Sequence, residues 1–322
     1  MEYRKLGRTG LNVSEVGHGL WGMSDWSGAD DKESLTTLQK SLDSGCNFFD
    51  SAWAYGSGHS DLLLGQLIKN NPGRTIIATS KIPPKNLKWP ASSEYLFDEV
   101  FPRQHVFDYT QRILDGIGKD SIDLLQFHVW DDSWANEDEW KETISDLKSK
   151  KLIRHFGISL NRWEEWNGLK AIQTGYVDTV QVVYNIFDQA PEDELFPLCQ
   201  KMNVGVIARV PLDEGGLTGK LTVDTQFPEK DFRTRYFGSG NLQATVKRAD
   251  ELKKLLPEGM LLPEMALRFI LSSPAVSTTI VGMRNLGHLQ ANLKASDGRG
   301  LPEELLLKLR LHRWVRGTRS NK

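Results

Sequence analysis

Short apolar runs alternate along this chain with segments whose apolar residues recur every three or four positions. The runs are Glu15–Trp21, Asn47–Ala52, Thr75–Ile82, Ile122–Val129, Ile153–Leu160, Thr179–Asn185, Val204–Pro211 and Ser277–Gly282, all rich in Val, Ile and Phe and each read as a strand. Between them the spacing predicts helices, most clearly over Asp31–Ser44, Glu137–Lys150, Arg162–Gln173 and Glu192–Met202. Strands that are apolar on both faces belong to a parallel sheet covered by helices. Eight strand-helix units in a chain of 322 residues point to an α/β fold of the closed (β/α)8 TIM-barrel type. The competing architecture is an open doubly wound sheet, which needs a Gly-x-Gly-x-x-Gly turn between its first strand and helix. The first strand here runs through Gly17-His-Gly-Leu-Trp-Gly22, which does not open a helix in the required place.

Around that rhythm, Tyr3–Val13 reads as a small hairpin able to plug the amino-terminal end of the barrel, and Pro302–Val315 as an extra C-terminal helix. Two connections are long, Pro83–Gln104 and the glycine-rich Asp213–Gly240, and long loops after barrel strands are where function is expected. No repeat beyond the rhythm and no linker divides the chain, so residues 1–322 are expected to form one barrel domain. Composition agrees with a packed core: 39% hydrophobic and 25% charged residues. With 40 basic against 42 acidic groups the formal charge is −2, and no basic block stands out, which argues against a nucleic-acid partner. Cys46 and Cys199 are isolated and read as buried thiols of a reducing cytosol. The start carries no apolar leader and no run is long enough to span a membrane, so a cytoplasmic protein without a membrane partner is expected. The basic tail Arg313–Lys322 reads as a frayed terminus.

Candidate chemistry lies at the strand ends. Asp50 and Tyr55 fall in Asn47–Gly56, Lys81 ends Thr75–Lys81, and His128 ends Ile122–His128. Strand ends of a parallel barrel meet at one mouth, so residues distant in sequence converge there. A phenol beside an ammonium, with a carboxylate behind and an imidazole opposite, is a proton donor for a carbonyl oxygen. A free phenol, with a pKa of about 10, is a reluctant acid at neutral pH, and the Lys81 ammonium is expected to lower that value. Asp50 would keep the lysine charged and in place, and His128 would hydrogen-bond and orient the carbonyl. Singly, each has a plainer use: Tyr55 as a loop aromatic, Lys81 as a charge reaching solvent, His128 as a core residue, Asp50 as a helix cap. No second histidine stands near these positions, and no metal site is expected.

Phe49-Asp-Ser-Ala-Trp-Ala-Tyr-Gly56, Lys81, Leu125-Gln-Phe-His128 and Gly157-Ile-Ser159 together resemble the aldo-keto reductase family, from about Tyr3 to Ala295. The resemblance implies interconversion of carbonyls and alcohols with NADPH/NADP, without metal or flavin. It implies that Gly19, Leu20 and Trp21 border the cofactor and that Ser159 and Gln181 hold the nicotinamide carboxamide. Asn161 would reach the same group from one residue further on than the family's usual asparagine. Where many members place an aromatic ring beneath the nicotinamide, this chain has Arg209, whose planar guanidinium is able to stack there; the plainer alternative is an ion pair with Asp213 or Glu214. Asp213–Lys220 superficially resembles a P-loop, but Glu214 stands where the first glycine is required, and Leu221 follows the lysine. Leu212 and Lys220 would instead lie along the pyrophosphate. Ile280–Asn292 resembles the family's adenosine signature: Gly282 for close approach, Arg284 for a 2′-phosphate and hence NADPH over NADH, and Asn292 for the adenine edge. His288 stands where glutamine is common.

Trp53, Trp89 and Trp130 are expected to wall the substrate pocket, with Trp21, Phe97 and His105 nearby. The function that follows is NADPH-dependent, reversible reduction of a small aldehyde or ketone, with Tyr55 as proton donor. The alternative is a nucleotide-binding, redox-sensing partner subunit with little turnover on the same barrel, as in relatives of potassium-channel β-subunits. A phosphate-sugar isomerase or lyase would want an acid-base Glu or a Schiff-base Lys and no adenosine signature. The natural substrate, the preferred direction and the oligomeric state have no signature in the chain.

Overall fold

The computed structural model describes residues 1–23, 29–229, 231–238 and 240–316, so the end of the basic tail lies outside it. Its strands are β1 (Tyr3–Lys5), β2 (Asn12–Ser14), β3 (Val16–Gly19), β4 (Phe48–Asp50), β5 (Ile77–Ile82), β6 (Ile122–Phe127), β7 (Ile153–Ser159), β8 (Thr179–Val183), β9 (Gly205–Arg209) and β10 (Val276–Gly282). Strands β3 to β10 close a barrel in which every adjacent pair is parallel, with β10 returning to β3. The eight predicted strands are all present, and the observed ones are mostly shorter, because only the apolar heart of each run meets two neighbours.

Side chains alternate across a strand, and that alternation sets the layers of the barrel. Phe48, Ile77, Leu124 and Ile207 form one buried cluster with Leu6 and Val13 of the hairpin. The antiparallel β1–β2 hairpin therefore plugs the amino-terminal mouth, as its sequence led us to expect. Gly7 makes this possible: its φ is +49°, and an added Cβ would stand 2.2 Å from the Gly205 backbone nitrogen. Two residues further along the same four strands, on the same face, come Asp50, Thr79, Gln126 and Arg209. The inside of the barrel thus changes from apolar to polar toward the carboxyl ends of the strands.

The helix at Asp31–Asp43 carries an Asp30 side chain that accepts from the Glu33 amide as its N-cap, and Asp138–Ser149 also matches its predicted span. Elsewhere tertiary contacts override local spacing. The predicted helix Arg162–Gln173 shrinks to Leu169–Gln173, since Trp163 takes φ +60° and the side chains of Asn161, Glu164 and Asn167 bond one another. Glu192–Met202 divides into a 3-10 turn at Ala190–Glu192 and a helix at Leu195–Met202. The C-terminal helix covers Glu303–Arg310, after which the chain turns back and the Trp314 amide donates to Phe187 O at 2.8 Å. Both cysteines are buried free thiols. Among the described residues no helix is long and apolar enough to cross a membrane.

Candidate active site

A cavity of about 590 Å³ opens at the carboxyl ends of the strands, and Asp50, Tyr55, His128, Gln181 and Arg209 all line it. Lys81 lies fully buried beneath them. Its Nζ donates to Asp50 Oδ2 at 2.6 Å and to the Ser51 carbonyl at 2.7 Å, and sits 5.1 Å from the centroid of the Tyr55 ring. The four strand-end residues predicted to meet are together. Tyr55 and His128 stand edge to face, with ring centroids 5.7 Å apart.

Charge at the site follows from burial and neighbours. Burial opposes the Lys81 ammonium, but Asp50 and then Tyr55 hold it charged, so its pKa ends above the ordinary value. Burial raises the Tyr55 phenol, and Lys81 draws it back only in part. The expectation that the ammonium would leave this phenol more acidic than usual is thereby corrected: desolvation outweighs the cation. His128 is driven well below its ordinary value by burial and by the Lys81 and Arg209 cations, so its imidazole is neutral. Its Nδ1 has no partner among the described residues.

The residues expected at the carboxamide divide. Ser159 and Gln181 are register partners on β7 and β8, both buried. Gln181 lines the cavity but commits its Nε2 to Asp50 Oδ1 at 2.9 Å, so Asp50 is gripped from two sides. Asn161 does not line this cavity. Its amide brackets the backbone of Ala91, accepting from the Ala91 N–H at 3.1 Å and donating to the Ala91 carbonyl at 3.0 Å. The extra residue before Asn161 points it at the long loop after β5 instead.

Arg209 forms no ion pair with Asp213 or Glu214 within the described residues. Glu214 takes Arg162 at 2.8 Å, and Asp213 takes Arg316 at 2.6 Å. Arg209 keeps one hydrogen bond, Nη2 to Leu160 O at 2.9 Å, and its Nε has no partner among the described residues. Burial and the neighbouring Arg162 push its pKa down to about 10. Gly19, Trp21, Leu212 and Gly282 also line the cavity, whereas Leu20 is wholly buried behind it. An added Cβ on Gly282 would meet nothing. Asn292 is buried, and its Nδ2 lies 3.5 Å from Gly282 O. Burial lowers the His288 pKa, and the cations of Lys220 and Arg284 lower it further.

Of the tryptophans, Trp89 and Trp21 wall the cavity. Trp89 stands edge-on to His128 at 5.7 Å. Trp53 turns away and packs edge-on against Tyr109 at 5.5 Å. Trp130 is fully buried among Phe127, Trp134 and Trp140, with its Nε1 on Asp132. Assigning Trp53 and Trp130 to the pocket is thus corrected; both belong to the packing between helices and barrel. Phe97 is core, and His105 bonds Pro83 O. Sequence reasoning missed Arg162 and weighed Glu214 only as a partner for Arg209; the two form an ion pair on the cavity wall.

The arrangement is able to hold a planar, anionic cofactor and to protonate an oxygen beside it. The model of the Aldo/keto reductase family matches residues 15–306. An aldo-keto reductase of Bacillus subtilis (strain 168) is 29% identical over 299 residues, covering 90% of this chain and 87% of that protein. A probable voltage-gated potassium channel subunit beta of Arabidopsis thaliana is 28% identical over 315 residues, covering 92% of each. The solved structure of a glycerol dehydrogenase from Gluconobacter oxydans matches with a TM-score of 0.81 at 25% identity, covering 100% of this chain and 98% of that one.

Proposed function

The chain belongs to the aldo/keto reductase family, oxidoreductases of carbonyl compounds, and we propose that this member reduces a small aldehyde or ketone with NADPH, Tyr55 giving the proton. The observation that carries the reading is the grip on Lys81: a buried ammonium held by Asp50 and the Ser51 carbonyl, directly below the phenol. When bound, the nicotinamide supplies the hydride. The rest falls to the chain. His128, neutral and on the cavity wall, donates no charge; it orients the carbonyl and keeps the site dry together with Trp89 and Trp21. The Tyr55 hydroxyl delivers its proton to the carbonyl oxygen, and the Lys81 ammonium stabilises the phenolate left behind.

Several features fit the nucleotide. Gly19 and Gly282 offer bare backbone on the wall, and Arg209 presents a guanidinium with an unpartnered Nε where a flat ring would rest. Arg284, with Lys220 and His288 close by, suits a 2′-phosphate, the group that separates NADPH from NADH. Similarity to a channel subunit motivates a second reading, in which the same site reports redox state to a partner. The intact proton-donating cluster favours turnover.

Titration of the protein with NADPH and NADH, followed by tryptophan fluorescence, tests the reading. NADPH should bind at least about tenfold more tightly, and Arg284→Ala should remove most of that preference. Equal affinities would remove the preference for NADPH, and tighter NADH would reassign this member to NADH. Failure of both nucleotides to bind would end the reductase and redox-sensor readings together.

A further inference from the structure

The segment after β9 is strained and partly buried, and it is fastened by a residue from the other end of the chain. Val210, Asp213 and Glu214 all adopt positive φ, at 57°, 50° and 53°. Non-glycine residues avoid this region, and a β-branched valine most of all. Such backbone persists only where surrounding contacts over-determine it. Val210, Leu212, Glu214 and Gly215 wall the cavity. The shape of the wall therefore depends on whatever holds the strain.

Four side chains supply the hold. Asn185 Nδ2 donates to Val210 O at 3.0 Å. Arg162 pairs with Glu214 at 2.8 Å. At the centre, Arg316 Nη2 donates to Asp213 Oδ1 at 2.6 Å and to Asp188 Oδ2 at 2.7 Å, with side-chain exposures of 4%, 0% and 7% for Arg316, Asp213 and Asp188. The Tyr236 hydroxyl donates to the same Asp213 oxygen. The Arg316 guanidinium lies 4.6 Å from the Trp314 ring and within 6 Å of Phe187, Trp163 and Tyr236. Gly216 accommodates the carboxylate, since an added Cβ there would stand 2.3 Å from Asp213 Oδ2. Without Arg316, two buried carboxylates lose their cation, which the interior does not tolerate in that arrangement.

We propose that Arg316 is a positioning residue for the cofactor: by bridging Asp188 and Asp213 it latches the strained Val210–Gly215 segment into the shape that walls the cavity. The consequence for NADPH rests on the function proposed above; the latch itself does not. Arg316 touches neither substrate nor cofactor, and its effect passes through Asp213 to Leu212 and Glu214.

Two measurements on the full chain separate the latch from that reading. Amide hydrogen exchange of residues 210–219, with no nucleotide present, should speed up by about tenfold or more in Arg316→Met, while β4 to β6 stay protected. Nucleotide titration should then give a NADPH Kd raised about tenfold, with kcat at saturating NADPH within about twofold and the carbonyl KM little changed. Tyr236→Phe, which removes one bond to Asp213 and keeps both carboxylates paired, should show the same pattern more weakly and serves if Arg316→Met fails to fold. Unchanged exchange at 210–219 in a folded Arg316→Met or in Tyr236→Phe overturns the latch, as does exchange that rises equally throughout the barrel. A loosened segment in a protein whose wild type binds no nucleotide leaves the latch standing and removes the cofactor reading.

Discussion

Burial and charge pull the Tyr55 phenol in opposite directions, and burial wins. A phenol held above its ordinary value stays protonated throughout the neutral range, which suits an acid waiting for a carbonyl. His128, held neutral well below its ordinary value, adds no titration near pH 6.5. The rate of reduction should therefore stay flat from about pH 6 to 9 and fall only above about pH 10, where the phenol is lost. A break near the ordinary histidine value would show that His128 titrates in the catalytic cycle. Tyr55→Phe should lower kcat/KM by about 10²–10⁴-fold while the NADPH Kd changes little, a split that steady-state kinetics beside nucleotide titration will resolve. That Asp50, Tyr55, Lys81 and His128 meet was legible because their kinds are unusual at strand ends. Their relative acidities were not, because desolvation depends on how deeply each is buried. The tryptophans failed for a related reason: Trp89 and Trp53 look alike in sequence, and only packing against Tyr109 turns one of them away from the cavity.

Asn161 shows how one element disciplines another. Its amide brackets the Ala91 backbone with two hydrogen bonds, and Trp89, two residues earlier, forms part of the cavity wall. The loop after β7 thus holds the loop after β5. Asn161→Ala would leave the Ala91 amide and carbonyl without these partners, at a cost of about 1–3 kcal/mol for each buried group left unsatisfied. Freed of the clamp, the Trp89 wall should loosen, raising the carbonyl KM several-fold while NADPH affinity holds. A matching loss of NADPH affinity would instead return Asn161 to the carboxamide role that family resemblance implies. The strands were legible because β-branched runs buried on both faces have few other uses, whereas the Arg162–Gln173 helix was not. Its apolar spacing is helical, but Trp163 at positive φ and the bonds among Asn161, Glu164 and Asn167 commit its first half to the site. The polar upper layer of the barrel also follows from the alternation that places Leu124 and Gln126 on one face.

For the whole molecule, stability against pH turns on buried titratable groups of opposite sign. His18 lies wholly buried between barrel and helices, neither ring nitrogen has a partner among the described residues, and burial lowers its pKa to about 3. The unfolded chain takes up that proton at about pH 6.5, so the stability carried by a neutral His18 is complete above this value and drains away as the pH falls toward 3. Asp61 acts in the other sense. Burial raises its carboxyl to about 6 despite hydrogen bonds from Ser51 and Ser80, so it is tolerated when protonated and costs stability as the pH rises through 4 to 6. His128, driven well below its ordinary value by burial and by the Lys81 and Arg209 cations, adds to the side of His18. The net profile hides two slopes that single variants separate. His18→Leu should narrow the change in unfolding free energy between pH 7.5 and 4.5 by about 2 kcal/mol toward the acid-resistant side. Asp61→Asn should stabilise the barrel at pH 7.5 and do little at pH 4.5. Urea unfolding at both pH values reads both effects. Equal shifts at the two pH values in either variant would mean that the residue acts through packing alone, and that the barrel buries these groups without their protonation bearing on whether it stays folded.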